Sequence, residues 1–122
     1  MAGRIISQPE ADAQFGPAIE SVVFDAAKLK TIIEAAGSVA MFRLVDGNAA
    51  ILGEGRKSLY PDSSALIPAE DVYHLYSCSL LLELIEKGSG APVCLENRKE
   101  VFSLTCGANT LEYGTLCPPI CI

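Results

Sequence analysis

The sequence lacks tryptophan, contains a single histidine and has no long apolar run. A membrane-spanning helix needs roughly 18 apolar residues, whereas the densest apolar run, residues 80–85, is interrupted by Glu83. A secretory signal needs an apolar segment of roughly 7–15 residues, but only Ile5 and Ile6 stand together after Arg4. We therefore expect a cytoplasmic protein that contacts no membrane.

Basic residues are also scarce. Nine lysines and arginines face fifteen aspartates and glutamates, so the formal net charge is −6. Proteins that coat nucleic acid by bulk charge usually carry a basic excess, and this chain does not. Its 122 residues, of which 50% are hydrophobic, are enough for one compact domain with a buried core.

Cysteine is present without a metal-binding pattern. The five cysteines form no CxxC pair, and the CPPIC segment separates Cys117 from Cys121 by three residues. Only His74 and Cys78, four residues apart, could complete four ligands with them. Buried cysteine more often behaves as a small apolar residue, and without a secretory signal we expect reduced thiols. We predict neither a metal nor a cofactor.

No enzymatic motif is complete. The GEGRKS segment, residues 53–58, has glycines and a lysine but lacks the P-loop spacing. His74 neighbours Ser77 and Cys78 along the chain, and on a helix these residues do not assemble a nucleophile with an oriented base. We expect His74 to be exposed on a helix and the protein to have no catalytic site.

The first half of the chain contains clear signals of secondary structure. Residues 1–17 are rich in Gly, Gln and Pro and predict an irregular arm. Residues 19–24 have the β-branched and aromatic content of a strand. A helix follows, because Asp25 can cap it, apolar residues recur at three and four, and Gly37 can end it. The Asp-Gly-Asn turn at 46–48 lies between apolar runs and predicts a β-hairpin, and residues 56–64 predict a short strand or loop.

The segment PAEDVYHLYSCSLLLELIEKGSG, residues 68–90, allows two interpretations. Aligned with residues 22–47, it becomes a helix that ends near Ser77 or Cys78, followed by a strand over residues 80–87. In this alignment Phe24 falls on Ile67, Leu29 on Val72, Val39 on Leu80 and Gly47 on Gly88. The alternative is one long helix over residues 68–87, which leucine, glutamate and Pro68 favour. We prefer the strand, because the leucines would cover most of a helix circumference. Residues 91–116 then predict three strands in an antiparallel meander.

This pattern predicts an α+β fold. Residues 18–122 form a single domain of two βαβββ pseudo-repeats, 18–62 and 63–119, with antiparallel sheets, two helices on one face and an apolar C-terminal tail. Two such halves in about 120 residues resemble one domain of the DNA sliding clamps, most closely the bacterial polymerase III beta-subunit type. The segments VVFDAAKLKTIIEA, IPAEDVYHLY and RKEVFSLTCGANTLEYGTLCP are similar to that family's first helix, second-helix entry and domain ending. The resemblance covers roughly residues 18–119. The alternative is another α+β sheet fold with one long second helix.

The resemblance implies a ring, and six copies would be needed, because a bacterial-type clamp chain has three such domains and closes as a dimer. Clamp helices present Lys and Arg to phosphates, whereas the second helix expected here offers Glu70, Asp71 and His74, which would repel DNA. The candidate residues for an anion or nucleic acid are Lys28, Lys30, Arg56 and Lys57.

The C-terminal tail is apolar and stiffened by proline, so we expect it to dock on this domain or on a neighbouring subunit. Its candidate oligomer contacts are Leu116, Ile120 and Ile122. The sequence thus predicts a non-enzymatic, self-associating interaction protein with a clamp-like fold, associated with nucleic-acid machinery and with DNA as a candidate partner. The alternative is a small-ligand or regulatory binding module.

Overall fold

A computed structural model describes residues 3–60, 73–98 and 101–112, and the backbone of residues 115–117. Within these residues the chain forms three α-helices, ten β-strands and one 3₁₀ turn. In chain order they are β1 (Arg4–Ser7), α1 (Gln8–Phe15), β2 (Glu20–Phe24), α2 (Ala26–Glu34), β3 (Val39–Val45), β4 (Asn48–Leu52), the 3₁₀ turn (Glu54–Arg56), β5 (Ser58–Tyr60), β6 (Tyr73–Ser77), α3 (Cys78–Lys87), β7 (Val93–Asn97), β8 (Phe102–Cys106), β9 (Asn109–Glu112) and β10 (Thr115–Cys117).

The strands form two antiparallel sheets, which confirms the predicted α+β class. The first sheet has the order β1-β9-β8-β7-β2 and the second has the order β10-β6-β3-β4-β5. Two βαβββ units run in sequence, β2-α2-β3-β4-β5 and β6-α3-β7-β8-β9. Each unit gives its first strand to the other, because β2 pairs with β7 and β6 pairs with β3. The two units therefore share one core.

Helix α2 begins and packs as its sequence predicts. The Asp25 carboxylate accepts a hydrogen bond from the Lys28 backbone N–H at 3.1 Å, and Gly37 beyond the helix has a φ of +97°. Leu29 and Ile33 are fully buried. Helices α2 and α3 contact each other and the inner faces of both sheets, so the main core lies between the helices and the sheets.

The predicted hairpin is also present. Strands β3 and β4 pair with Val45 opposite Asn48, and the two residues between them, Asp46 and Gly47, have φ values of +51° and +76°. Positive φ at both central positions is the geometry of a type I′ turn, which matches the twist of a two-stranded hairpin. The predicted short strand after it is β5, and the predicted meander is β7-β8-β9.

The order of elements in residues 73–87 is the reverse of the prediction. Tyr73–Ser77 is the strand β6 and Cys78–Lys87 is the helix α3, so the strand predicted over residues 80–87 and the long helix over residues 68–87 are both wrong. The leucines are accommodated because α3 packs against α2 and against strands of both sheets, with Leu81 and Leu84 buried and Leu80, Leu82 and Ile85 partly buried. A helix with an apolar circumference needs this kind of enclosure.

The two units still form an internal repeat, but the residues that correspond between them differ from those in the predicted alignment. Strand β6 precedes α3 as β2 precedes α2, and Ser77 occupies the N-cap position that Asp25 occupies in the first unit. Tyr76 falls on Phe24 and Leu81 on Leu29, and all four side chains are buried. The two units therefore span the described residues 20–60 and 73–112. The strand that the sequence also predicts at SALIP, residues 64–68, and the Pro68 helix start lie outside the described residues.

The arm predicted to be irregular, residues 1–17, contains β1 and α1. Strand β1 pairs with β9, with Ile5 opposite Leu111. Helix α1 begins at Ser7, whose spacing to Glu10 is that of a capping box. The Ser7 hydroxyl accepts from the Glu10 backbone N–H at 3.3 Å and donates to the Glu10 carboxylate at 3.0 Å. The helix escaped prediction because it has no apolar stripe, and Ala11 is its one buried residue.

The end of the chain divides between the sheets. The segment predicted as one strand, NTLEYGTL, is split into β9 in the first sheet and β10 in the second. Leu116 lies in β10, where its backbone is opposite His74 of β6. Ile120 and Ile122, the other predicted oligomer contacts, lie outside the described residues.

Candidate interaction surfaces

Lys28 and Lys30, two of the predicted anion contacts, are exposed on α2. The Lys28 ammonium lies 5.8 Å from the centroid of the Phe24 ring and 5.2 Å from that of Tyr60. The two rings meet edge to face, 5.0 Å apart. Lys28 therefore covers the place where β2 of the first sheet approaches β5 of the second, and cation–π attraction helps to hold it there.

Arg56 lies elsewhere. Its guanidinium is 5.4 Å from the centroid of the Tyr73 ring, and the guanidinium of Arg43 is 5.9 Å from the same ring. Tyr73 belongs to a second buried cluster, on the face of the second sheet that points away from the helices, together with Val39, Met41, Leu52 and Leu75. Lys57 is exposed beside Arg56. The structure thus places the four predicted cations on two sides of the molecule.

The surface formed by α2 and α3 is electrically balanced. Its charged side chains are exposed, and they are three lysines and three glutamates, namely Lys28, Lys30, Glu34, Glu83, Glu86 and Lys87. The acidic second helix predicted from Glu70, Asp71 and His74 is wrong for His74, which lies on β6; the other two residues lie outside the described residues. A groove of about 330 Å³ between the helices is lined by Lys30, Leu82, Ile85 and Glu86. This mixed surface suits a protein contact better than a polyanion.

His74 is a half-buried strand residue and not the exposed helix histidine that was predicted. Its ring stacks on Phe102 with the centroids 5.0 Å apart, and Phe102 also stacks on Phe42. Burial lowers the pKa of His74, because an apolar environment disfavours the charged imidazolium. His74 therefore contributes a neutral ring to an aromatic cluster.

The described cysteines are buried or partly buried and hold their protons. Burial, aided by the nearby Glu54 carboxylate, raises the pKa of Cys78 to about 11, and its thiol donates to the Ile33 carbonyl at 3.8 Å. Burial also raises the pKa of Cys94 and of Cys106. These are properties of structural and not of activated thiols. Within residues 3–60, 73–98 and 101–112, no three His, Cys, Asp or Glu residues cluster as metal ligands.

The sequence analysis missed a buried polar network on the outer face of the first sheet. Arg98 is at its centre, with a side chain 1% exposed. Its guanidinium donates to the Asp12 carboxylate and the Gly16 carbonyl, both at 2.6 Å, to the Ser103 hydroxyl at 2.9 Å and to the Glu96 carboxylate at 3.3 Å. Asp12 lies in α1 and Gly16 follows it, so Arg98 fastens α1 over this face.

Glu96 is also held by hydroxyl groups of the neighbouring strand β8. Its carboxylate accepts from the hydroxyls of Ser103 at 3.2 Å and Thr105 at 2.5 Å, and the Thr105 hydroxyl contacts that of Thr110 at 2.9 Å. In the sequence, polar residues at every second position of β7 and β8 indicate one polar face of a sheet. Their alternation was visible, but nothing local showed that α1 would cover that face.

Glu112 and Arg4 tie β1 to β9 at the edge of the same face. The Arg4 guanidinium donates to one carboxylate oxygen of Glu112 at 2.7 Å. The other oxygen, Oε2, is buried and has no hydrogen-bond partner among the residues that the structure describes. Burial raises the pKa of Glu112, although the bond from Arg4 acts in the opposite direction.

The opposite edge of the first sheet is apolar and exposed. Strand β2 ends the sheet, and two apolar residues on this outer side are exposed: Val23 of β2 by 61%, and Ile19, which directly precedes the strand, by 72%. Ser21 lies exposed between them. Glu20 lies on the inner side, where its carboxylate accepts from the Asn97 side-chain amide at 3.3 Å. Unlike most sheet edges, which carry charges or proline, the outer face of β2 is uncharged.

None of the helices in the described part of the chain is long and apolar enough to cross a membrane. Comparisons with known proteins found no matching protein-family model, no matching curated protein and no matching solved structure. Architecture and surface chemistry are therefore the basis for a functional proposal.

Proposed function

We propose that this chain is a cytoplasmic, non-enzymatic interaction protein with a clamp-like fold, which self-associates and works with nucleic-acid machinery. The observation that carries the proposal is the pair of βαβββ units that exchange their first strands within one chain. This arrangement supports the resemblance to a sliding-clamp domain. Because fold alone does not determine function, the surfaces are used to infer whether this chain contacts protein or DNA.

The surfaces favour protein contacts over DNA wrapping. The helix layer has as many glutamates as lysines, and its groove is lined by two apolar and two charged side chains. The cations at Arg56 and Lys57 lie near Tyr73 on another side of the molecule. Any DNA contact by the helix layer would depend on Lys28 and Lys30, with a contribution from Lys87 at the end of α3.

The test for DNA is the salt dependence of binding. Contacts to two phosphates predict a slope of roughly −1.8 for log K against log salt, so raising salt from about 50 to about 200 mM should weaken duplex binding by about tenfold. Fluorescence anisotropy with a labelled duplex measures this. The variant Lys28→Ala/Lys30→Ala should reduce the salt dependence to the part contributed by Lys87, with Lys57→Ala as the matched control. No binding at the lower salt would remove DNA from the proposal.

Self-association is tested separately by sedimentation of the wild-type chain over a range of concentrations. We expect the mean mass to rise with concentration. A monomer at high micromolar concentration would refute a self-associating protein whatever its affinity for DNA.

A second candidate function, a small-ligand or regulatory module, is favoured by one cavity. It has a volume of about 440 Å³, lies at the β3–β4 turn and is lined by Arg43, Val45, Asp46, Asn48, Ala49, Ala50 and Tyr73. An arginine and a tyrosine above apolar walls are common in ligand sites. Thermal stabilisation by one compound of a metabolite screen, lost in Arg43→Ala, would support this function.

A further inference from the structure

We propose that β2 is the edge through which two copies of this chain associate, by pairing antiparallel about a two-fold axis at Ser21. This inference rests on the self-association proposed above and assigns its surface. Among the described elements, β2 has five residues and is the longest edge strand, since β1 has four and β5 and β10 have three each. An edge strand directs alternate backbone N–H and C=O groups away from its sheet, where a second strand can bond them.

The side chains of β2 match a second copy of the same strand. When Ser21 lies opposite Ser21 of the second copy, Ile19 lies opposite Val23 and Val23 opposite Ile19. Side chains directly opposite each other on antiparallel strands have Cβ atoms about 4.5–5.5 Å apart. The two most exposed large apolar residues in the described part of the chain, at 72% and 61%, would thus cover each other twice.

The charges beside β2 are complementary in the same arrangement. Glu20 and Phe24 lie on the inner side of the sheet, and the Lys28 ammonium is 5.8 Å from the Phe24 ring. In the antiparallel pair, Glu20 lies opposite Val22 of the second copy and diagonal to both its Glu20 and its Phe24. Each Glu20 can pair with Lys28 of the second copy, and two such pairs offset the repulsion between the two glutamates and between two chains of charge −6.

A two-fold axis makes these contacts reciprocal, as in an isologous dimer. The product is a continuous ten-stranded sheet made from two five-stranded sheets. A second copy fits better than an unrelated strand, because the apolar pairs and both charge pairs recur across the axis. An unrelated extended peptide would have to supply an apolar residue opposite each of Ile19 and Val23.

The first test uses sedimentation to compare dimerisation in variants of two exposed valines. Val23 on β2 is 61% exposed and Val45 at the end of β3, in the middle of the second sheet, is 45% exposed. Val23→Lys should weaken dimerisation by at least about tenfold, because it places two ammonium groups opposite apolar partners. Val45→Lys should leave the dimer unchanged. Circular dichroism of both variants checks that each is folded.

The second test uses the axis itself. In Ser21→Cys the two introduced thiols face each other, within the Cα separation of about 4.4–6.8 Å that a disulfide spans. Mild oxidation should yield a dimer whose cross-linked peptide, identified by mass spectrometry, joins position 21 to position 21. Val45→Cys, treated identically, should give no such link.

The outcomes separate this inference from the proposed function. A wild-type dimer that withstands Val23→Lys and forms no link at position 21 would overturn the β2 assignment and leave self-association intact. A wild-type chain that stays monomeric at high micromolar concentration would overturn both. A monomer whose β2 amides become protected from hydrogen exchange only with an added extended peptide would replace the second copy with a foreign strand.

Discussion

Replacing Arg98 with methionine should be far more destabilising than replacing its surface partner. The Arg98 side chain is 1% exposed and that of Glu96 8% exposed, and Arg98 also bonds Ser103 and the Gly16 carbonyl. Arg98→Met leaves the Glu96 carboxylate buried without its charged partner, which costs about 3–5 kcal/mol in comparable pairs. Asp12 is 48% exposed, so Asp12→Asn should cost at most about 1 kcal/mol.

The predicted loss of stability is large relative to the total free energy of unfolding. A chain of this size is expected to unfold with about 6–18 kcal/mol, so Arg98→Met would remove a substantial part of its stability. With a urea slope of about 2 kcal/mol per molar, a loss of 4 kcal/mol lowers the denaturation midpoint by about 2 M. Urea unfolding followed by circular dichroism measures this, and Asp12→Asn is the matched control.

A second substitution decides whether the charge is responsible. In Glu96→Gln/Arg98→Met the amide oxygen can still accept from Ser103 and Thr105, but neither position 96 nor position 98 carries a buried charge. The double variant should therefore be more stable than Arg98→Met alone by about 1–3 kcal/mol, the usual cost of leaving a buried polar group without its partner. If the double variant is no better than the single one, or if Arg98→Met costs less than Asp12→Asn, the reasoning about this network is refuted.

Two further predictions follow from burial of titratable groups. Because burial lowers the pKa of His74, the unfolded chain takes up a proton at this residue at a higher pH than the folded chain does. The free energy of unfolding should therefore fall as pH falls through about 6.5. His74→Gln should flatten that slope, and an unchanged slope in urea titrations would contradict it. With its pKa near 11, Cys78 is thiolate in only about one molecule in a thousand at pH 8. Iodoacetamide should therefore modify Cys78 slowly in the folded protein, and should reach the rate of an unstructured thiol only when denaturant is added. Labelling of the folded protein at that rate would contradict this prediction.

Prediction from sequence succeeded where the signals were local. The Asp25 cap, the apolar spacing of α2 and the Asp46-Gly47 turn each act through neighbouring residues, so they hold in any fold that contains them. The capping box at Ser7 and Glu10 was an equally local signal for α1. The sequence analysis did not use this signal, and α1 has no apolar stripe because Arg98 fastens it through Asp12 and Gly16.

Prediction failed where a segment is buried on two sides. In β6, Tyr73 and Leu75 pack on one face while Tyr76 packs on the other, and the Tyr76 hydroxyl donates to the Phe102 carbonyl at 2.8 Å. Burial on both faces removes the polar and apolar alternation that marks a strand. The helix propensity of the next segment, CSLLLELIEK, was the correct signal. We preferred a strand there because the two halves had been aligned incorrectly, with a shift of about one secondary-structure element.

The site residues divide in the same way. The sequence singled out Lys28, Lys30, Arg56 and Lys57 as cations, but only the packing on Phe24, Tyr60 and Tyr73 decided that they lie on two sides of the molecule. The polar face of the first sheet was visible as alternation, yet its burial depends on α1. The exposed edge at β2 depends on which strand ends the sheet.

The sequence by itself determined the α+β class, helix α2, the hairpin and the presence of two similar halves. Tertiary structure alone decided that β2 pairs with β7 and β6 with β3, that α1 covers a polar face, and that Ile19 and Val23 remain exposed at an edge. The physical reason is that caps, turns and periodicity act over a few residues. Strand exchange and burial are set by contacts between segments far apart in the chain, and a local pattern does not specify them.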